Sequence, residues 1–438
     1  MKKNHVILLV FLFSLVTYAQ DLPIPKSSLI TKLEADVAGG KTSAVDDFWK
    51  IAKSNTTPLI ESIENDSQNS LVTFIWQGDA ETKNVLVQSP FYAWVMAKRQ
   101  MTRIGNTDVW YKTAKVPNDA RFTYRFSVND PRLPFGDPYD WYQFKVPLFN
   151  DPLGKKQFTY IKDDDFPEDE TVSLSLLEMP AVFKSSYAVA DQNIKKGKLE
   201  KLNFKSEKLA NERRLWFYTP PGYSAKKKYP LVVFLDGIDY LSHIPAPTIL
   251  DNLIAAGKIP PIVAVFVATP IEAGIREKEY FANPLFNDFM TQELLPLIHS
   301  KYSVSSKPEN TTIVGLSASG LAAGFLALKH SKNFGNVIMQ SASLWWGKDY
   351  YGADGEWLTN EYIKSPKLNV RFYVEVGKME VFPSTRKGMP NQFHANRHFR
   401  DILQLKGYKV FYNEFYGAHE HINWRETLPD ALIKILGK

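Results

Sequence analysis

The chain has 438 residues, 44% hydrophobic and 13% aromatic, which is more than one average domain holds and enough to bury substantial cores. Its 53 basic and 47 acidic residues leave a formal charge of +6, but they are interspersed, so the surface reads as ordinarily solvated, with a modest field favouring anionic ligands and nothing resembling a nucleic-acid module. Cysteine is absent, which excludes disulfides, thiol chemistry and lipidation at a cysteine.

In chain order, Lys2 and Lys3 precede an apolar stretch at 6–16, and Thr17 and Ala19 put small residues before Gln20. This is the layout of a secretory signal peptide, 1–19, cleaved after Ala19. The stretch falls short of the roughly 20 residues that span a bilayer, so a membrane anchor is the weaker reading and an exported, periplasmic or extracellular protein is expected. Runs at 71–76, 84–88, 109–112 and 121–127 read as short strands between polar turns. Phe and Tyr alternate with polar residues in the last of them, the period of a half-buried antiparallel strand, so 20–170 is expected to be a small all-β, immunoglobulin-like sandwich ending in an irregular linker at 137–167. A charge-rich stretch at 193–208 leads into a second region.

From 171 to 438, apolar runs at 215–218, 231–235, 262–267, 312–314, 337–339, 372–374 and 410–412 alternate with helical patterns such as 289–302 and 393–405. Several runs are apolar on both faces, as buried parallel strands must be. An α/β domain with a mainly parallel sheet is predicted.

Within it, Thr311-Thr-Ile-Val-Gly-Leu-Ser317-Ala-Ser-Gly320 reads as a strand, a tight turn and the start of an Ala/Leu-rich helix, with a serine at the turn. That is the setting of a nucleophile elbow, in which a serine at a helix N-terminus has backbone N–H groups near its reacting partner. Ser319 stands where the Gly-x-Ser-x-Gly pattern has its second glycine; a simple helix cap is the competing explanation for so short a match. Context favours catalysis. Tyr416-Gly-Ala-His419-Glu-His421 follows the last strand, where a hydrolase of the order serine, acid, histidine carries its base. His419 is preferred over His421, and Gly417 is expected to let the loop turn back. The acid should follow the preceding strand, which points to Glu380, with Glu375 and Asp239 next in line. The residues after the strand ending at Leu235, Gly237 and Ile238, together with Ala318, are the expected oxyanion N–H donors. His394 and His398 are four apart and His419 and His421 flank Glu420, but no metal-binding spacing appears, so surface or capping roles are expected and no metal or other cofactor.

These motifs, with Leu235-Asp-Gly237, Arg276, Met339-Gln-Ser-Ala-Ser-Leu-Trp-Trp346, Gly377-Lys-Met-Glu380 and Trp424-Arg425, occur in an order that resembles the enterochelin (ferric enterobactin) esterase family. The resemblance extends upstream through Val72-Thr-Phe-Ile-Trp-Gln-Gly-Asp79 and Asp119-Ala-Arg-Phe-Thr-Tyr-Arg-Phe126. It implies an α/β-hydrolase domain behind a β-sandwich, a Ser317, Glu380 and His419 triad, and Arg276, Trp345 and Trp346 as pocket residues. The implied substrate is a ferric catecholate siderophore, hydrolysed to release iron. Arg276 would complement its charge and tryptophan its catechol rings, although Arg276 can equally pair with a carboxylate and the tryptophans can be core. Ser319 and Ala418 replace family glycines. Two other readings stay open: a feruloyl or acetyl esterase of plant polysaccharide with the β region as carbohydrate-binding module, and a ligand binder with a decayed elbow. No oligomeric state is implied.

Overall fold

The computed structural model describes residues 24–92, 96–131, 146–166, 168–272, 274–348, 355–381 and 390–437. The expected signal peptide at 1–19 lies outside them. Two helices come first, α1 (Ser28–Ala38) and α2 (Ala44–Ser54). Neither was expected, although α2 buries Ala44, Phe48, Trp49 and Ala52, a helical spacing. The strands β1 (Leu59–Ile63), β2 (Asp66–Gln77), β3 (Val85–Gln88), β4 (Thr102–Arg103), β5 (Val109–Pro117), β6 (Arg121–Val128), β7 (Leu148–Phe149), β8 (Gln157–Tyr160) and β9 (Val172–Glu178) follow.

They make two antiparallel sheets, one ordered β1-β2-β5-β4 and one ordered β3-β6-β9-β8 with β7 on β6. Val72, Phe74, Val87, Trp110, Phe122 and Phe126 fill the space between them, while Ile30, Leu33, Phe48 and Trp49 of the helices cover the outer face of β2 and β5. The expected linker is in part strand, because β7 and β8 extend the second sheet. Since β9 pairs with both β6 and β8, the β-rich unit runs past the boundary expected at 170 and ends after Glu178.

The second unit is one sheet of eight strands, β10 (Lys198–Ser206), β11 (Asn211–Thr219), β12 (Leu231–Leu235), β13 (Val263–Val267), β14 (Thr311–Leu316), β15 (Asn336–Gln340), β16 (Arg371–Gly377) and β17 (Lys409–Phe415). Its order is β10-β11-β13-β12-β14-β15-β16-β17, with β12 to β17 mutually parallel and β10 and β11 antiparallel. The helices are α3 (Ala246–Ala255), α4 (Ile275–Tyr280), α5 (Pro284–Asp288), α6 (Leu295–Lys301), α7 (Ser317–Lys329), α8 (Trp357–Lys364), α9 (Gln392–Leu405) and α10 (His421–Leu436).

Alternate residues of one strand serve opposite layers: Leu231, Val233 and Leu235 pack in the cluster of α7, α8 and α9, and Val232 and Phe234 in that of α3 and α10. Burial on both faces is why these strands read as continuous apolar runs. The expected helix at 289–302 is a π-helical segment, Phe289–Leu294, running into α6. Pro296 near the start of α6 has no N–H for the helical ladder, which accounts for a change of winding there.

The two units share a seam. Arg121 N donates to Tyr416 O at 2.8 Å, and Met379 and Ala418 of the second unit are buried in the core of the first. Among the described residues no helix is long and apolar enough to cross a membrane.

Candidate active site

Parallel strands end at one edge of the sheet, and three of their neighbours share a strained backbone. Asp236 after β12, Ser317 after β14 and Ser341 after β15 have φ of 51°, 52° and 46°. A left-handed conformation is unfavourable for residues with a Cβ and gathers where function demands it. Open α/β sheets present their sites at this edge.

At the elbow, a Cβ on Gly315 would stand 2.2 Å from Ser319 O, so only glycine lets the strand and helix close to this distance. Ser319, completely buried, accepts from Leu316 N at 2.9 Å and donates to Leu316 O at 2.8 Å. A hydroxyl here pins the turn, and the departure from glycine is accommodated. Ser317 Oγ lies 3.4 Å from Ser343 Oγ, its hydrogen-bonding partner among the described residues.

The structure brings Glu380 and His419 together, with His419 Nδ1 2.7 Å from Glu380 Oε2. Glu380 is inaccessible and its other oxygen accepts from Gly377 N at 2.8 Å and Ser341 Oγ at 2.5 Å. Ser341 is itself a hydrogen-bond acceptor for Trp424 Nε1 at 3.0 Å, and the Trp424 ring stands edge-on to His419 at 4.8 Å. Three donors hold the carboxylate and one aromatic edge holds the imidazole, so Nδ1 is committed and Nε2 is the nitrogen left for proton transfer. The two loops meet so closely that a Cβ on Gly377 would stand 2.3 Å from Gly417 O, and one on Gly417 2.5 Å from Asn423. Close approach, rather than a reversed φ, is what Gly417 provides.

Glu375 does not reach His419. It is fully buried within β16 and accepts hydrogen bonds from Gln340, Thr427 and Tyr373 at 2.7, 2.6 and 3.0 Å. Burial pushes its carboxyl up to about 7 against those hydrogen bonds. Gly237 and Ile238 follow β12, whose neighbour in the sheet is β14, so they sit beside Ala318 across two adjacent strand ends. Gly237 is packed tightly, its missing Cβ falling 2.8 Å from the backbone of Phe266 and Val267.

The expected pocket residues fare differently. Arg276 is held by Asp236 through two bonds, Nε–Oδ1 at 2.9 Å and Nη2–Oδ2 at 2.6 Å, so its charge is balanced by a buried carboxylate while 32% of the side chain stays exposed. Trp346 is 6% exposed and packs in the core, stacked on Phe281 with ring centroids 5.0 Å apart. Trp345 is half-buried. Ser341, Ser343 and Asp236 were not singled out from the sequence. The signal was present: each lies at or just beyond the carboxyl end of a strand already read as buried and parallel.

Residues 206–435 match the putative esterase family, and residues 71–186 match the N-terminal region of enterochelin esterases. The chain belongs to the enterochelin esterase family. It is therefore a carboxylic-ester hydrolase. The iron(III) enterobactin esterase of Dickeya dadantii is 25% identical over 437 residues, spanning 93% of this chain and 95% of that one. A similar enzyme, the iron(III) enterobactin esterase of Escherichia coli O6:H1, is 27% identical over 349 residues, spanning 77% and 82%. The enterobactin esterase of Shigella flexneri, solved in the presence of enterobactin, has a TM-score of 0.69 at 26% identity and covers 89% of this chain and 97% of that chain. Ser319 pins the elbow, and Ala418 is 1% exposed in the core of the β-rich unit.

Proposed function

We propose that the chain hydrolyses the ester bonds of a catecholate siderophore of the enterobactin class, with Ser317 as nucleophile, His419 as general base and Glu380 as the acid that orients it. The observation that carries this reading is the 2.7 Å contact between His419 Nδ1 and a Glu380 held by Gly377 N and Ser341 Oγ, at the same sheet edge as a strained serine. On substrate binding the Ser317 hydroxyl turns from Ser343 towards His419 Nε2, since catalytic hydrogen bonds commonly form only in the complex. Oγ attacks the ester carbonyl as its proton passes to Nε2. The oxyanion is met by N–H groups of Ala318 and of Gly237 or Ile238, the leaving alkoxide takes the proton from His419, and a water activated by the same imidazole then frees the acyl group. Glu380 stabilises the imidazolium throughout.

Cleaving the linkages of the scaffold would loosen its hold on iron. The enterochelin-type match at 71–186 weighs against a carbohydrate-binding module there. Export by the leader at 1–19 is part of the proposal, checked by the N-terminal sequence of the mature protein: an unprocessed Met1 would refute it. For the chemistry, ferric enterobactin is incubated with wild type and Ser317→Ala and the products are read by mass spectrometry. Wild type should release linear forms and 2,3-dihydroxy-N-benzoyl-serine, and the variant should lose at least about 1000-fold in kcat with its melting temperature kept. Turnover of feruloyl sugars in place of the catecholate would select the polysaccharide reading.

A further inference from the structure

Three side chains that the proposed chemistry does not use converge beside it. Asp239 and His243 are four apart on a π-helical turn, Asp239–His243, that follows β12, and His421 is the first residue of α10. We infer that Asp239, His243 and His421 form a binding site for a divalent transition-metal cation, with zinc as its best-suited occupant.

His243 Nδ1 lies 3.1 Å and His421 Nε2 3.0 Å from the same oxygen, Asp239 Oδ1. All three ligand atoms fall within 4.8 Å of one another. Two ligands of a tetrahedral zinc, each at about 2.0–2.1 Å, stand about 3.3 Å apart, close to the separations of both imidazole nitrogens from Asp239 Oδ1. Distance alone would also fit a plain ion pair. The orientation of His421 does not: its Nε2 is buried yet makes no aligned hydrogen bond, although the carboxylate oxygen is within reach. A buried nitrogen whose contact with a carboxylate is poorly aligned is incompletely satisfied, and a cation accepting its lone pair completes it.

The surroundings suit such a site. The two imidazoles stand 5.0 Å apart, and Tyr160 of the β-rich unit sets its ring edge-on to both, at 5.1 and 5.5 Å, restricting their rotation. Side-chain exposures of 28%, 15% and 19% for Asp239, His243 and His421 leave room for water to complete the coordination. Two imidazoles and one carboxylate are the ligand set of zinc sites that keep an open position, and by ligand type they disfavour calcium and magnesium. Sequence spacing could not show the site, because one ligand comes from the far end of the chain. Its position gives it a role: Asp239 is the residue after Ile238, and His421 is two beyond His419. A bound cation therefore ties the proposed oxyanion loop to the loop of the proposed base.

The test uses the untagged mature chain, stripped with a chelator and titrated with zinc chloride. Wild type is expected to take up one zinc per chain with a dissociation constant of about a micromolar or tighter, to melt at higher temperature with zinc, and to give the visible bands of a four-coordinate site with cobalt(II). His243→Ala, which leaves the Ser317, Glu380 and His419 side chains in place, should weaken zinc by more than about 100-fold, since losing even an outer-shell partner costs 10–100-fold. Asp239→Asn is the second variant if circular dichroism shows that His243→Ala does not fold. Absence of saturable uptake, absence of the cobalt bands in wild type, or undiminished affinity in a folded variant overturns the site.

Discussion

Arg276 pairs through Nε and Nη2 with Asp236, a carboxylate only 4% exposed at the start of the proposed oxyanion loop. Removing the cation strands that carboxylate in a place where it cannot be solvated. Arg276→Met is therefore expected to lower kcat/KM alike on ferric catecholate and on a small neutral ester, and to destabilise the fold by about 2 kcal/mol, discounted for the third of the arginine that water reaches. Selective loss on the anionic substrate, with unchanged thermal stability, would return Arg276 to a charge-recognition role. Ser317 and His419 were legible at this scale because each stands in a short run of Gly and Ala that only a tight turn explains. Glu380 was legible because it sits just beyond the strand that ends at Gly377, where the acid of this order belongs. The Asp236–Arg276 pair was not, since the partners lie 40 positions apart and either could have faced water.

Elements β15, β16 and α10 are joined by a polar knot in an otherwise apolar interior, with Gln340, Glu375 and Thr427 as its members. Glu375 has its folded pKa raised from 4.5 to about 7 by burial. A carboxyl with a raised folded pKa binds its proton more tightly in the native state, so its contribution is fully present below about pH 4.5 and is lost as pH climbs through 7. Glu375→Gln keeps an acceptor for Thr427 and Gln340 and offers its amide to the Tyr373 hydroxyl. The variant should match wild type in urea unfolding near pH 4.5 and exceed it by about 3 kcal/mol near pH 8. Parallel unfolding-energy curves for the two proteins would show that the group is not protonated in the fold. The strands of this sheet were readable from apolar runs, but β10 was not. As an edge strand it exposes Lys198, Glu200, Lys201 and Lys205, the charged pattern that guards an edge and resembles a polar linker on paper.

Across the whole molecule, the β-rich unit reaches the proposed base through Thr123, whose N–H and hydroxyl both donate to Glu420, the residue beside His419. Thr123→Val keeps the size and the backbone bond but deletes the hydroxyl. We expect kcat to fall by about three- to tenfold with KM nearly unchanged, and Thr123→Ser to restore it, because the loop of the base is loosened while the binding surface is not. Equal kinetics in wild type and Thr123→Val would mean that the strand interactions of Arg121 suffice to hold the loop. Fold class could be read from periodicity, whereas the way the units join could not, since neither Met379 nor Ala418 carries any mark of belonging to another unit's core. That shared interior has a consequence for descent. A recombination that carried off the α/β half alone would leave two apolar plugs in water and a hole in what stayed behind. The inheritable module is the pair, and the two halves are expected to have diverged together, each substitution at the seam answered by one across it.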